Sequence, residues 1–458
     1  MEDPILRAAR AAADHYESIR ELPVTGPARP AELESYLRAR YTFDASLDPS
    51  EVVDDLVALL RRGSVHVTHP AYLGMFNPSV LCSSIAASTL LAAFDPQAAT
   101  WSHAAAAVAI EQHVLRFLMS RIGYDPGASA AHFTSGGQEA NTEALAAALA
   151  HAFPAARDAG LRTLPGDPVL YASAEAHHSL EKAARMAGLG TGAVRRVGSS
   201  LRMDAASLAG RIAADRAQSK LPFMVVATVG ATASGAIDPL EPIADLCARE
   251  GLWMHADAAW GGAVVLSTRA RAHAAGLERA DSITWDAHKW LQVPLGTGML
   301  FTRRPEALRA AFAVESPYMP AGHPERPDPY SVSHQWSRRP AGVALFAALA
   351  ELGAQGYERL IDRMVELGGA LRERLIASQY VIVNETPLPL VCFTHPRIES
   401  GAVKLNEVAR AVDRRGKTWI APVRLATGRR ALRACITSFR TEERDLDVLM
   451  QELALAGL

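Results

Sequence analysis

The stretch Asp281-Ser282-Ile283-Thr284-Trp285-Asp286-Ala287-His288-Lys289-Trp290 decides the fold. It opens on an apolar run of strand character, Ser282 to Trp285, and ends on a lysine flanked by His288, Trp290 and Leu291. Lysine is ordinarily a surface residue, but these neighbours predict partial burial. Burial disfavours the charged form of an amine and frees it to attack an aldehyde. Working outward, short apolar runs recur at Pro168 to Ala172, Phe223 to Val229, Leu252 to His255 and Gly298 to Phe301, separated by helical stretches between about residues 105 and 310. That alternation predicts an α/β domain with a largely parallel sheet.

Three further patterns fall within the same region. Thr134-Ser135-Gly136-Gly137-Gln138-Glu139-Ala140-Asn141 runs straight into the helical stretch Thr142 to Ala152. Glycines let a backbone approach an anion, and free N–H groups at a helix start bind phosphate oxygens, although a turn of this kind also serves simply to begin a helix. His255-Ala256-Asp257-Ala258-Ala259 places an aspartate at the end of a strand-like run, where α/β sheets bind ligands, and a helix cap is the competing role. Ala176-His177-His178-Ser179 offers an imidazole able to lie flat on a planar group, or to be an ordinary structural histidine. Their conjunction and order carry the argument. A phosphate cradle, a stacking partner, a carboxylate for a ring nitrogen and a Schiff-base lysine are together what pyridoxal 5'-phosphate (PLP) requires, and Lys289 is the lysine that would hold it.

Composition narrows the function classes. The 47 basic and 49 acidic residues give a net charge of -2 with both signs dispersed, so neither nucleic acid nor an anionic membrane is an expected partner. Cys82, Cys247, Cys392 and Cys435 are far apart and without paired metal-ligand spacing, which predicts a reduced cytoplasmic protein with no structural metal. Met1-Glu2-Asp3-Pro4 does not begin a secretory signal. The run Ala104 to Ile110 is far shorter than a membrane span and reads as a buried helix. The first fifty residues read as short helices with Pro-containing joints. Six prolines between residues 316 and 340 preclude a continuous helix there and predict a long loop of the kind that serves as a lid. Beyond it, Ala341 to Leu352 and Tyr357 to Ile376 read as helices. Val381 to Val383, Leu390 to Phe393 and Leu432 to Thr437 read as strands of a small α+β lobe.

With Asp286-Ala287-His288-Lys289-Trp290 as its most specific motif, the chain resembles the group II PLP-dependent amino-acid decarboxylases. That family contains the aromatic-amino-acid, glutamate, cysteine sulfinate and 2,4-diaminobutyrate enzymes. His69 to Asn77, the spacing of Trp101 and Glu111, Ser337-Arg338-Arg339 and Leu432 to Thr441 are similar in kind. The resemblance implies a fold type I, aspartate-aminotransferase-like homodimer with a mostly parallel seven-stranded sheet. It divides the chain into an N-terminal segment on the dimer partner (1–85), a large cofactor domain (86–315), a mobile active-site loop (316–340) and a small C-terminal domain (341–458).

It also implies roles. Lys289 would form the Schiff base, Asp257 would pair with the pyridine nitrogen, and His177 and Ala259 would touch the two ring faces, with Thr232 near the ring. Gly136, Gly137 and Gln138 would hold the phosphate, completed by Asp286 and His288. Tyr330, or failing it Tyr318, would protonate the product carbon, and Phe76, Ala99 and Trp101 would line the substrate pocket. Ala99 stands where aromatic decarboxylases place a phenylalanine, which leaves bulky and non-aromatic substrates open. Decarboxylation of an L-amino acid is the implied reaction. Carbon-carbon lysis, aldehyde synthesis, transamination and a non-catalytic role are the alternatives, and the presence of His177 and Tyr330 favours simple decarboxylation.

Overall fold

The computed structural model describes residues 3–26, 29–319 and 328–458. Seven strands, β1 (Ala130–Thr134), β2 (Pro168–Ser173), β3 (Val194–Val197), β4 (Leu221–Thr228), β5 (Trp253–Asp257), β6 (Ser282–Asp286) and β7 (Gly298–Thr302), form one sheet in the order β1-β7-β6-β5-β4-β2-β3. Pairs from β3 through β6 are parallel, and β7 alone runs against its neighbours β6 and β1. Every residue of β2, β5, β6 and β7 is buried, as a parallel sheet covered on both faces requires. This is the mostly parallel sheet expected from the alternating runs.

Sequence reading overlooked β1 and β3. Ala130-Ala131-His132-Phe133-Thr134 and Val194-Arg195-Arg196-Val197 lack the apolar continuity of the central strands, and both lie at sheet edges. Helix Gly137–Ala152 follows β1 and buries Ala140, Ala144, Leu145, Ala147 and Ala148, small side chains that bring its backbone close to the sheet. Helix Trp101–Ile122 was expected to be buried throughout its alanine run. It buries Ala104, Ala107 and Val108 but exposes Ala105 and Ala106, so the run is one helical face and not a buried rod.

The C-terminal part adds a separate antiparallel sheet, β10-β11-β9-β8, from β8 (Val381–Ile382), β9 (Leu390–Thr394), β10 (Ala421–Arg424) and β11 (Arg430–Cys435). The two helices expected before it run as Gly342–Ala377, broken at Gly353, where φ is 62° and ψ 177°. Helices Pro4–Ser18, Pro30–Arg40 and Pro49–Gly63 bury no residue of their own, and Ile5, Leu6, Leu37, Phe43, Leu56 and Leu60 are exposed. All four cysteines are free thiols. Among the described residues no helix is long and apolar enough to cross a membrane.

Of the loop expected over 316–340, residues 320–327 lie outside the described residues. The stretch 328–340 is irregular, as its prolines demand, but it is pinned. Arg338 makes a buried ion pair with Glu111 at 2.9 Å, and Glu111 also accepts the Gly342 N–H. His334 Nδ1 lies 2.8 Å from Glu143, whose other oxygen meets His132.

Candidate active site

Strand ends assemble the site. Asp257 ends β5, Asp286 ends β6, Thr228 ends β4 and His177 follows β2, so each side chain emerges at the C-terminal edge of a parallel strand. One cleft at this edge is lined by Gly137, Gln138, Asn141, His177, Thr228, Gly230, Thr232, Asp257, Ala259, Trp260, Asp286 and Lys289. Eight of the residues expected from sequence thus meet in one place. Gly136 and His288 stand just behind: a Cβ on Gly136 would lie 3.3 Å from the His288 ring. Gly136 adopts φ 155°, open to glycine and strained for other residues. Gly298 is needed for the same turn, because a Cβ there would lie 2.5 Å from the Gly136 Cα.

Lys289 is partly buried, with a quarter of its side chain exposed, and its Nζ sits 3.0 Å from Asp286 Oδ2. The same Nζ lies 5.9 Å from the centre of the Phe76 ring. Phe76 packs on Trp260 at 4.6 Å, and Trp260 stacks on Trp290 at 5.6 Å, forming an apolar wall beside the amine. His177 accepts the Ser179 N–H on Nδ1, which leaves Nε2 available to the cleft. Burial holds His177 below the usual imidazole range, with the Asp257 charge pulling the other way, so the ring is neutral near pH 7.

Asp257 is positioned by a polar chain that sequence reading missed. Trp253 Nε1 donates to Ser282 Oγ, and Ser282 Oγ meets His255 Nδ1, both at 2.8 Å. His255 Nε2 reaches Asn141 Oδ1 at 3.0 Å, and Thr284 Oγ1 donates to the same oxygen at 2.7 Å. With its oxygen so occupied, the Asn141 amide turns its NH2 toward Asp257 Oδ2 at 2.9 Å and Ser179 Oγ at 2.8 Å. Asn141 stands four residues after Gly137, hence on the same helical face, and that spacing was the available signal. Complete burial lowers His255 to about 4. Its unfolded form takes up a proton near pH 6.5 that the folded form refuses, so this stability is present above pH 6.5 and lost as pH falls through 4. The loss by pH 4 is roughly 3 kcal/mol. Urea unfolding between those pH values should therefore show a steeper decline in the wild type than in His255→Gln.

Arg433, on β11, is the second residue overlooked. It is buried, its guanidinium carbon lies 5.4 Å from the Phe76 ring centre, and it donates to the carbonyls of Thr232 and Gly74. Its Nε is buried without a hydrogen-bond partner. A charge inside an apolar strand, Leu432-Arg433-Ala434-Cys435, was the signal in the sequence.

Ala99, Trp101 and Tyr330 form a different group. The Tyr330 N–H donates to Ala99 O at 3.2 Å, and the Trp101 N–H to Asp328 Oδ1 at 2.8 Å. Tyr330 and Tyr318 lie 5.0 and 6.1 Å from Trp336. None of these residues is in the lining of the Lys289 cleft.

The cleft fits PLP on its own chemistry. Helix Gly137–Ala152 has no side-chain cap, leaving first-turn N–H groups for a phosphate. A Cβ on Gly137 would fill the cradle, 3.0 Å from Asp286 Oδ2 and 3.3 Å from the Ala259 Cβ. The comparisons agree. Residues 35–395 match the family model described as the pyridoxal-dependent decarboxylase conserved domain. Human cysteine sulfinic acid decarboxylase is 33% identical over 72% of this chain and 68% of its own length. The aromatic-L-amino-acid decarboxylase of Bacillus atrophaeus is 27% identical over 97% of this chain and 92% of its own. The crystal structure of mouse CSAD superposes with a TM-score of 0.91 at 27% identity, covering 99% of this chain and 98% of that one. The chain therefore belongs to the pyridoxal-phosphate-dependent decarboxylases of fold type I, carboxy-lyases whose cofactor is PLP.

Proposed function

We propose that this chain removes the α-carboxylate of an L-amino acid as carbon dioxide and releases the corresponding amine. The observation that carries the reading is the convergence of Lys289, Asp257 and His177 in a single cleft. PLP, when bound, supplies a ring that takes up the electron pair left by the departing carboxylate. Lys289 would hold its aldehyde carbon, and Asp257, fixed by Asn141, its ring nitrogen. His177 and Ala259 would cover the ring faces, with Thr232 beside it. Gly136, Gly137, Gln138, Asp286 and His288 would surround the phosphate. Arg433 offers a substrate carboxylate a buried cation beside Phe76.

That Tyr330, Ala99 and Trp101 are outside the lining of the Lys289 cleft is in keeping with a homodimer in which this group serves the partner's site, with Tyr330 returning a proton to the substrate carbon. Ile5, Leu6, Leu37, Leu56 and Leu60, exposed on the N-terminal helices, support placing residues 1–85 on the partner, and with that goes the division drawn from the sequence: 86–315 for the cofactor, 316–340 as the active-site loop and 341–458 as the small domain. Four free thiols favour the cytoplasm.

Incubating the PLP-loaded protein with aromatic, acidic and basic L-amino acids should give one amine and one carbon dioxide per substrate consumed. Aldehyde with ammonia and peroxide, a keto acid, or no turnover by protein that holds PLP would contradict the reading.

A further inference from the structure

Asp286 is an anion in an anion cradle. Its side chain is 2% exposed, a Cβ on Gly137 would lie 3.0 Å from its Oδ2, and its Oδ1 is buried without a hydrogen-bond partner. The uncapped start of helix Gly137–Ala152 lies alongside. Among the described residues Lys289 is the one cation in the lining of the cleft, 3.0 Å from Oδ2, and it is the group that must turn to the cofactor's aldehyde. The other titratable neighbours do not replace it. His288 Nε2, 3.8 Å from Oδ2, and His177 are both kept neutral near pH 7 by burial. Asp257 is a second carboxylate, and Glu139, in the first helical turn, is engaged by Ser135 and Gln335.

A phosphate monoester loses its second proton near pH 6 and arrives as a dianion at pH 8. A dianion and a carboxylate at contact in a buried site repel unless a cation or a proton lies between them, and among the described residues of this chain no cation besides Lys289 lines the cleft. One proton between them converts repulsion into a charge-assisted hydrogen bond. A free phosphate monoester is a stronger base than a free carboxylate, which favours the proton on the phosphate. We propose that the cofactor's phosphate is held in its monoprotonated form and donates that proton to Asp286 Oδ1. The partnerless oxygen is an acceptor to which a protonated phosphate can donate.

This inference rests on the cofactor assignment, and phosphorus-31 NMR of the loaded protein tests the two separately. The chemical shifts of free PLP below and above its titration near pH 6 give the scale. At pH 8 the bound signal should lie near the monoprotonated limit in the wild type and move to the dianion limit in Asp286→Asn, which keeps the shape and removes the charge. A wild-type signal at the dianion limit overturns the placing of the proton on the phosphate and leaves the cofactor site intact. Absence of any bound phosphorus signal overturns the cofactor assignment as well. The wild-type spectrum alone carries the test should the variant not load.

Discussion

Replacing Lys289 with alanine is expected to lower amine formation by roughly 10⁴- to 10⁶-fold, the scale on which losing a covalent nucleophile acts. The amine that holds the cofactor's aldehyde carbon is gone, and the remaining lining of the cleft, His177 included, has no second primary amine. The fold should survive. Lys289 is partly exposed and sits on a short helical turn, Ala287–Trp290, whose buried residues are Ala287 and Trp290. Removing the cation 3.0 Å from the buried Asp286 should lower the melting temperature, so an unchanged far-ultraviolet circular dichroism spectrum together with lost turnover would place the effect in chemistry. The variant should also lose PLP on desalting, since the covalent link is absent and only the cradle and Asp257 remain to hold it.

Asp257→Asn is expected to lower kcat by about 10²- to 10³-fold, the loss typical of one preorganised electrostatic partner. The substitution preserves shape but removes the negative charge that would keep a ring nitrogen protonated. Its amide oxygen can still accept from the Asn141 NH2 group, now 2.9 Å from Oδ2, but its own NH2 then faces the Ala259 N–H that Oδ1 accepts at 3.2 Å. Lys289 is untouched in this variant. Borohydride should still fix the cofactor to the lysine while amine production falls, a combination that Lys289→Ala cannot show. Equal loss of both in Asp257→Asn would mean that Asp257 matters to binding and not to the reaction.

The central strands were legible because burial on both faces demands unbroken apolar runs, and the residues that follow such runs are the ones a parallel sheet delivers to its C-terminal edge. Asp257, Lys289 and His177 could be placed by that logic. The edge strands could not, since β1 carries a histidine buried against Glu143 and β3 two arginines that its half-covered edge tolerates. Asn141 and Arg433 were read as members of motifs without a role, because their work depends on partners 116 and 201 positions away in the chain. Local spacing carries no sign of such pairings. Tyr330, Ala99 and Trp101 are a different case, since the resemblance joins them to the Lys289 site while the lining of that cleft does not include them.

The most direct test of this account is borohydride reduction of the wild-type protein loaded with PLP, followed by peptide mass mapping. The expected result is a single pyridoxyl-phosphate adduct on Lys289, in the peptide containing Asp286-Ala287-His288. An adduct on any other lysine, or PLP bound with no reducible link to Lys289, would contradict it.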